Sequence, residues 1–345
     1  MFGETDSLSI VSAPASDGGS TSASGYNQEY EVTDGSDGTK SFFYTFSPLL
    51  PADLQGQFIR SVDQAGNTTA ATYYGGSGAD AGQIESLTST TTTGGVTGTQ
   101  SLDYDYLSSG ANAGLLSEIT STSAASDVDG GSPVTVQTED LSYYSSGAVN
   151  GAPGQLETAE VEDSSGNVVS SGYYRYFSAT DPDGDGGAVK YYFGSDAYAR
   201  LTAEYPGTDP DTLTDAEVAP YADTAMSYND SGQVTTQTTS GTGCSSCSGG
   251  LGTSTFTYAS SGSGGTDPNT WQNEEIETLP NGTQSITFSN YAGQTILTDS
   301  VGPTGLHSPT LTQYNDSGEV VLTAQPSAFV PDACLAHRNL WRKAA

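Results

Sequence analysis

Tyr228-Asn229-Asp230-Ser231-Gly232-Gln233-Val234 returns 86 residues later (314 minus 228) as Tyr314-Asn315-Asp316-Ser317-Gly318-Glu319-Val320. A phrase that recurs with its tyrosine, its glycine and its apolar residue in the same order marks a repeat. One such unit cannot bury its own apolar face, so copies are expected to stack into a continuous wall. Looser copies keep the order: Tyr73-Tyr74 precedes Gly82-Gln83-Ile84, Tyr143-Tyr144 precedes Gly154-Gln155-Leu156, and Tyr291 precedes Gly293-Gln294-Thr295. Between them stand Gly66-Asn67, Ser165-Gly166-Asn167 and Asn281-Gly282, which read as two-residue hairpin turns because Asn and Gly tolerate positive φ. Each cycle is then strand, tight turn, strand ending in tyrosine, looser turn, with tyrosines on the order of 30 residues apart. The predicted fold is all-β: antiparallel β-hairpin repeats forming an extended or spiralling sheet. Tyrosines are expected to stack in ladders inside it, with threonines on the outer strand faces.

Three regions follow from this pattern. Residues 1–40 are a loose Ser/Gly/Asp-rich lead-in with room for a strand pair; residues 41–325 carry the β-hairpin repeats; residues 326–345 are a tail without repeat landmarks, read as disordered or a short helix. The first residues, Met1-Phe2-Gly3-Glu4-Thr5-Asp6, have neither the basic start nor the apolar run of a secretory signal peptide. No stretch has the apolar length that spans a bilayer.

Composition narrows the partners. Eight Lys and Arg stand against 41 Asp and Glu, a net charge of -33, so nucleic acid and anionic membrane, which need a cationic footprint, are excluded as partners. Cations, basic proteins and neutral glycans fit such a surface, and solubility alone also explains it. Acidity does not here mean disorder, because 21 Tyr and 10 Phe supply large rings for packing. Three cysteines in 345 residues cannot organise the fold through disulfides.

The unit Tyr-Asn-Asp-Ser-Gly-Gln-Val-Thr-Thr at 228–236 resembles the YD repeat of the RHS family. Tyr228, Gly232 and Val234 match the family positions, as do Tyr314, Gly318 and Val320, and Tyr104-Asp105 carries the literal dipeptide. Ala199-Arg200-Leu201-Thr202, after Tyr191-Tyr192-Phe193, reads as a further copy with Ala in place of Gly. The resemblance covers roughly residues 60–325. Asn, Tyr or Ala often replaces the family's Asp, Gln or Glu replaces its Arg, and the core segment and payload domain that follow RHS repeats have no match. The resemblance implies a β-shell segment with an encapsulating or cell-surface role, secreted or surface-exposed, associated with other parts of a larger RHS-like polypeptide, with proteins or with glycans.

The chemistry-bearing residues are few. Asp181-Pro182-Asp183-Gly184-Asp185-Gly186-Gly187 places Asp181, Asp183 and Asp185 at alternate positions with a glycine at the bend, the opening of a calcium loop. The twelfth position holds Tyr192 where a bidentate Glu would close the shell, and Asp196 is the substitute within reach. The same residues read equally as an Asp/Gly hairpin turn. Calcium through these three aspartates is the one cofactor the sequence suggests. Cys244-Ser245-Ser246-Cys247 has zinc-like spacing without a second ligand pair and reads as a loop with free thiols or a local disulfide. His307 and His337 stand in irregular sequence, and no Gly-x-Ser-x-Gly elbow accompanies them. Glu160-Val161-Glu162-Asp163 and Glu274-Glu275-Ile276-Glu277 offer carboxylate pairs of glycosidase type, but along a strand they read as a solvated face.

The expectation is a non-enzymatic structural repeat protein. The alternative is a carbohydrate- or protein-binding adhesin module, in which exposed tyrosines and Trp271 stack on sugar rings. A β-helical polysaccharide-active enzyme ranks below both, since only Lys40, Arg60, Arg175, Lys190 and Arg200 lie outside the tail to meet an anionic substrate.

Overall fold

The structure, a computed structural model, describes residues 7–12, 28–48, 50–128, 131–181, 184–240, 252–262 and 265–328. It is all-β with antiparallel neighbours throughout, as the repeat predicts, and its contacts divide it into residues 1–173 and 174–345. Cys244, Cys247, Asp183, His337 and the tail beyond 328 lie outside the described residues.

In the first unit the strands are β1 (Ser7–Ser12), β2 (Gln28–Thr33), β3 (Lys40–Tyr44), β4 (Phe58–Val62), β5 (Thr68–Tyr73), β6 (Ile84–Thr93), β7 (Val96–Tyr106), β8 (Leu116–Ala125), β9 (Val134–Tyr143), β10 (Leu156–Asp163) and β11 (Val168–Tyr176), in which the division falls. Each pairs antiparallel with the strand before it. The second unit continues with β12 (Val189–Phe193), helix α1 (Ser195–Glu204), the single turn α2 (Asp215–Val218), β13 (Thr224–Tyr228), β14 (Val234–Thr239), β15 (Gly252–Ser260), β16 (Asn273–Thr278), β17 (Gln284–Ser289), β18 (Thr295–Val301), β19 (His307–Tyr314) and β20 (Val320–Ala324). From β12 to β20 the strands again pair in chain order.

From β6 to β10 the sheet is one layer thick. No residue of β6 to β10 is buried outright on either face, whereas a strand with a packed layer against it hides every second side chain. Their sequence explains this. Ser and Thr dominate, and their hydroxyls pair across strands, as in Thr72–Ser86 at 2.8 Å, Thr88–Ser101 at 3.2 Å and Ser142–Thr158 at 2.6 Å. Such pairs satisfy both partners without a second layer.

Dense packing appears where inserted segments fold back. In the first unit Leu50 and Leu54, on the long connection after β3, are buried, as are Phe42 and Ile59 on the strands that flank it. In the second unit the segment between β12 and β13 buries Phe193, Ala197, Leu201, Leu213 and Val218. Here the sequence reading of Ala199-Arg200-Leu201-Thr202 as a repeat copy is corrected: these residues are helical, in α1. Ala197 and Leu201, four apart on one helical face, drive that choice. A third cluster joins Trp271, Ile286, Phe288 and Ile296, with Trp271 edge-on to Phe288 at 5.5 Å. Trp271 is 6% exposed and so is not a platform for a sugar.

Candidate functional site

The repeated phrase builds one device, a hairpin closure. In the turn after β13 the amide of Asn229 donates to the Gln233 carbonyl and that of Gly232 to the Asn229 carbonyl, both at 2.9 Å. Gly232 sits at φ +73°, where a side chain is strained and glycine is not. This is a three-residue loop, a type I turn followed by a left-handed residue. The Asn229 carboxamide oxygen accepts the Ser231 and Gln233 amides at 3.0 Å, and its nitrogen donates to Gln233 Oε1. Asn315 repeats every one of these bonds with Ser317 and Glu319.

The tight reversals have the same geometry. Gly66, Gly166 and Gly282 each donate to the carbonyl three residues back, and Asp63, Asp163 and Leu279 to the carbonyl four residues on. The expected two-residue turns are therefore three-residue loops, because the glycine takes the last loop position and Asn67 or Asn167 already belongs to the next strand's approach. Asn67 and Asn167 clip back onto Asp63 and Asp163 and hold both carboxyls below the ordinary carboxylate value. A true two-residue turn does occur at Gly94-Gly95, with φ +62° and +85°, where Thr93 faces Val96.

The looser turns are the same closure with material inserted. Tyr74 donates to the Gln83 carbonyl and Gly82 to Tyr74; Phe177 donates to Ala188 and Gly187 to Phe177; Tyr44 donates to Gln57 and Gly56 to Tyr44. Several strand-ending tyrosines pair with the apolar residue after the closure, past one skipped residue: Tyr73 with Ile84, Tyr106 with Leu116, Tyr228 with Val234, Tyr314 with Val320. At the closure of β17 the strand ends in Ser289, and Tyr291 stands in the turn, half exposed.

Tyrosine has a second task. The hydroxyl of Tyr73 donates to the Phe58 carbonyl, Tyr143 to Leu116, Tyr228 to Val189 and Tyr314 to Thr295, at 2.7–3.0 Å. Each acceptor is the first residue of the preceding strand. The tyrosines thus clamp hairpin bases, with edge contacts such as Tyr74–Tyr106 at 5.8 Å in place of an extended interior stack. Neighbouring closures are also laced together: Gln83 Nε2 donates to the Gly114 carbonyl and Gln294 Nε2 to that of Gly318, both at 2.9 Å.

Charge is distributed unevenly. In the first unit Asp105 faces Glu118, Glu118 faces Asp140, and Asp140 faces Glu160, a row of carboxylates across β7 to β10. Like charges directly opposite destabilise a sheet. Lys40, Arg60, Arg175 and Lys190 are held elsewhere. Lys40 pairs with Glu31, and Arg60 grips Glu29 with two bonds of 3.0 and 2.9 Å while lying over the Phe42 ring. Arg175, fully buried, donates to Asp215 at 3.1 Å and to the Leu213 and Pro210 carbonyls. Lys190 reaches the other Asp215 oxygen at 2.6 Å and Asp181 at 3.6 Å, above the Phe177 ring. These bonds fasten α2 to the sheet.

Of the candidate calcium ligands, Asp181 therefore serves Lys190, accepts the Ser178 amide at 2.9 Å, and is held below the ordinary carboxylate value chiefly by that amide. The Asp185 carbonyl accepts the Ala188 amide inside a closure. Among the described residues no group of three or more His, Cys, Asp or Glu is placed to hold a metal. Glu160 and Glu162 lie on β10, but Glu274 turns inward, 4% exposed and facing Phe288, while Glu275 is exposed. His307 opens β19 and pairs with buried Asp299 through Nδ1, and Asp299 also accepts the Ser308 amide. That pair escaped sequence reading because it depends on strand register.

No protein-family model matches the chain, and no curated protein matches it. Among solved structures, a porin-like protein from Bacteroides uniformis aligns over 93% of this chain and 94% of its own, at 11% identity and a TM-score of 0.24. The Tc holotoxin pore of Photorhabdus luminescens aligns over 88% of this chain at 11% identity, and TcdB2-TccC3-Cdc42 over 87% at 9%, each with a TM-score of 0.19. This chain spans only 20% and 17% of those two chains. Scores this low do not establish a shared fold.

Proposed function

We propose that the chain is a non-catalytic structural segment, a β-wall of RHS/YD type with an encapsulating or cell-surface role. The observation that carries this reading is the closure itself, repeated with its tyrosine clamp and laced to the next copy by Gln83 and Gln294. Such a device extends a sheet indefinitely and is indifferent to what each loop carries. The single-layer strands suit a wall, and commitment of Arg60, Arg175 and Lys190 to internal carboxylates suits a scaffold. Calcium at Asp181, Asp183 and Asp185 remains a proposal subordinate to the turn, since an ion there competes with Lys190.

Two experiments test the reading. A screen of glycoside, ester, peptide and acidic polysaccharide substrates is expected to show no turnover; turnover abolished by His307→Ala would overturn it. Expression with the adjoining coding sequence, followed by protease, is expected to leave the neighbouring segment intact. Digestion of that segment at the rate of a free peptide would contradict enclosure.

A further inference from the structure

The second unit contains a trough of about 430 Å³ on the open face of β15 to β17, within the size range of small-ligand sites, about 300–1,000 Å³. Two closures border it, through Gln233 and Gly293. Its floor is set by register: Tyr258 faces Glu275, which faces Thr287, and the next row runs Ser260, Asn273, Ser289. Both sides of β16 are paired, so Asn273 and Glu275 are fixed two residues apart on one face, about 7 Å. The Tyr258 ring is fixed too, because its hydroxyl donates to the Val234 carbonyl at 2.9 Å.

The lining chooses the ligand. Lys, Arg and His are absent from it and Glu275 is present, which rejects anions. Apolar surface is limited mainly to one tyrosine, which rejects a greasy ligand. What remains is an aromatic ring flanked by a carboxylate, two carboxamides and several hydroxyls, donors and acceptors together. An ammonium group would satisfy the carboxylate but make no use of the carboxamides of Asn273 and Gln233, whereas vicinal hydroxyls both donate and accept and can engage all three. Rings of this type pack against the C–H face of a pyranose while the polar groups orient it. We propose that this trough is a subsite for a neutral sugar residue, held between Tyr258, Asn273 and Glu275. It gives the wall a glycan contact in addition to its structural role.

Titration calorimetry of the full chain tests this with the methyl glycosides of glucose, galactose, mannose and N-acetylglucosamine, and with cellobiose, lactose and chitobiose. At least one is expected to bind with a Kd of about 0.1–10 mM. Asn273→Ala and Glu275→Gln are each expected to weaken it about tenfold or more. Both side chains are exposed, so an unchanged melting temperature will show that these variants fold. The proposal is overturned if none of the sugars binds, if both variants bind as well as the parent, or if butylammonium binds in the trough while the sugars do not.

Discussion

The Tyr228 hydroxyl donates to the Val189 carbonyl at 3.0 Å, joining the last residue of β13 to the first of β12 across 39 residues. Between those two points lie both helices, so the bond closes a hairpin whose turn has been replaced by a helical insert. The same clamp closes the far shorter β4–β5 hairpin through Tyr73 and Phe58. The base of each hairpin is therefore specified independently of what its far end carries.

Removing one hydroxyl isolates that clamp. Tyr228→Phe and Tyr314→Phe should each lower unfolding free energy by about 1 kcal/mol, the net worth of a hydrogen bond, in urea titrations. Values near zero for both would mean that the hydroxyls merely accompany the fold.

Backbone handedness is tested at Gly293, which has φ +76° and open space where a Cβ would go. Gly293→Ala should therefore cost about 1–2 kcal/mol from conformation alone. A loss below about 0.3 kcal/mol would show that the closure tolerates another turn type.

Alkali should attack three of the clamps together. Burial raises Tyr73, Tyr143 and Tyr228 above the ordinary phenol value and, with Asp105, takes Tyr74 to about 12. A raised folded pKa stabilises the fold fully below the unfolded value of 10.0 and loses that contribution as pH climbs through the folded value. Phenolate absorbance should thus show a late-titrating group whose ionisation coincides with unfolding. Titration of every tyrosine near pH 10 with the fold intact would refute this.

The carboxylate row predicts the opposite of most surface substitutions. Asp140→Asn, with Glu118 on one side and Glu160 on the other, should raise stability by about 0.5 kcal/mol at low salt, with the gain shrinking as salt screens the row. Destabilisation, or a gain independent of salt, would indicate that the carboxylates do not repel.

Asp215 bridges Arg175 and Lys190, so Asp215→Ala should cost about 2 kcal/mol, below the 3–5 of a fully buried pair because Asp215 itself is partly exposed. Circular dichroism and urea unfolding would show it, and an unchanged midpoint would remove α2 from the stabilising inserts.

The legible part of this fold is the part encoded locally. A glycine that must adopt positive φ, an Asx residue that caps the turn and an apolar residue that restarts the strand lie within seven positions, as at 228–234. The unity of short and long closures was hidden because inserted lengths vary while the closing bonds do not, as between Asn229–Gln233 and Phe177–Ala188. Ala199-Arg200-Leu201-Thr202 misled because a Leu-Thr pair after an aromatic run suits a strand until Ala197 is seen four residues before Leu201. The Tyr258 trough and the Asp299–His307 pair required register, which links residues that the sequence keeps apart.

Native-state hydrogen exchange at the Asn229, Gly232, Asn315 and Gly318 amides tests the central claim most directly. If the closures are the repeating joints of the wall, these turn amides should be protected as strongly as the strand amides of β13 and β19. Exchange at the rate of an unstructured peptide, with those strands still protected, would contradict it.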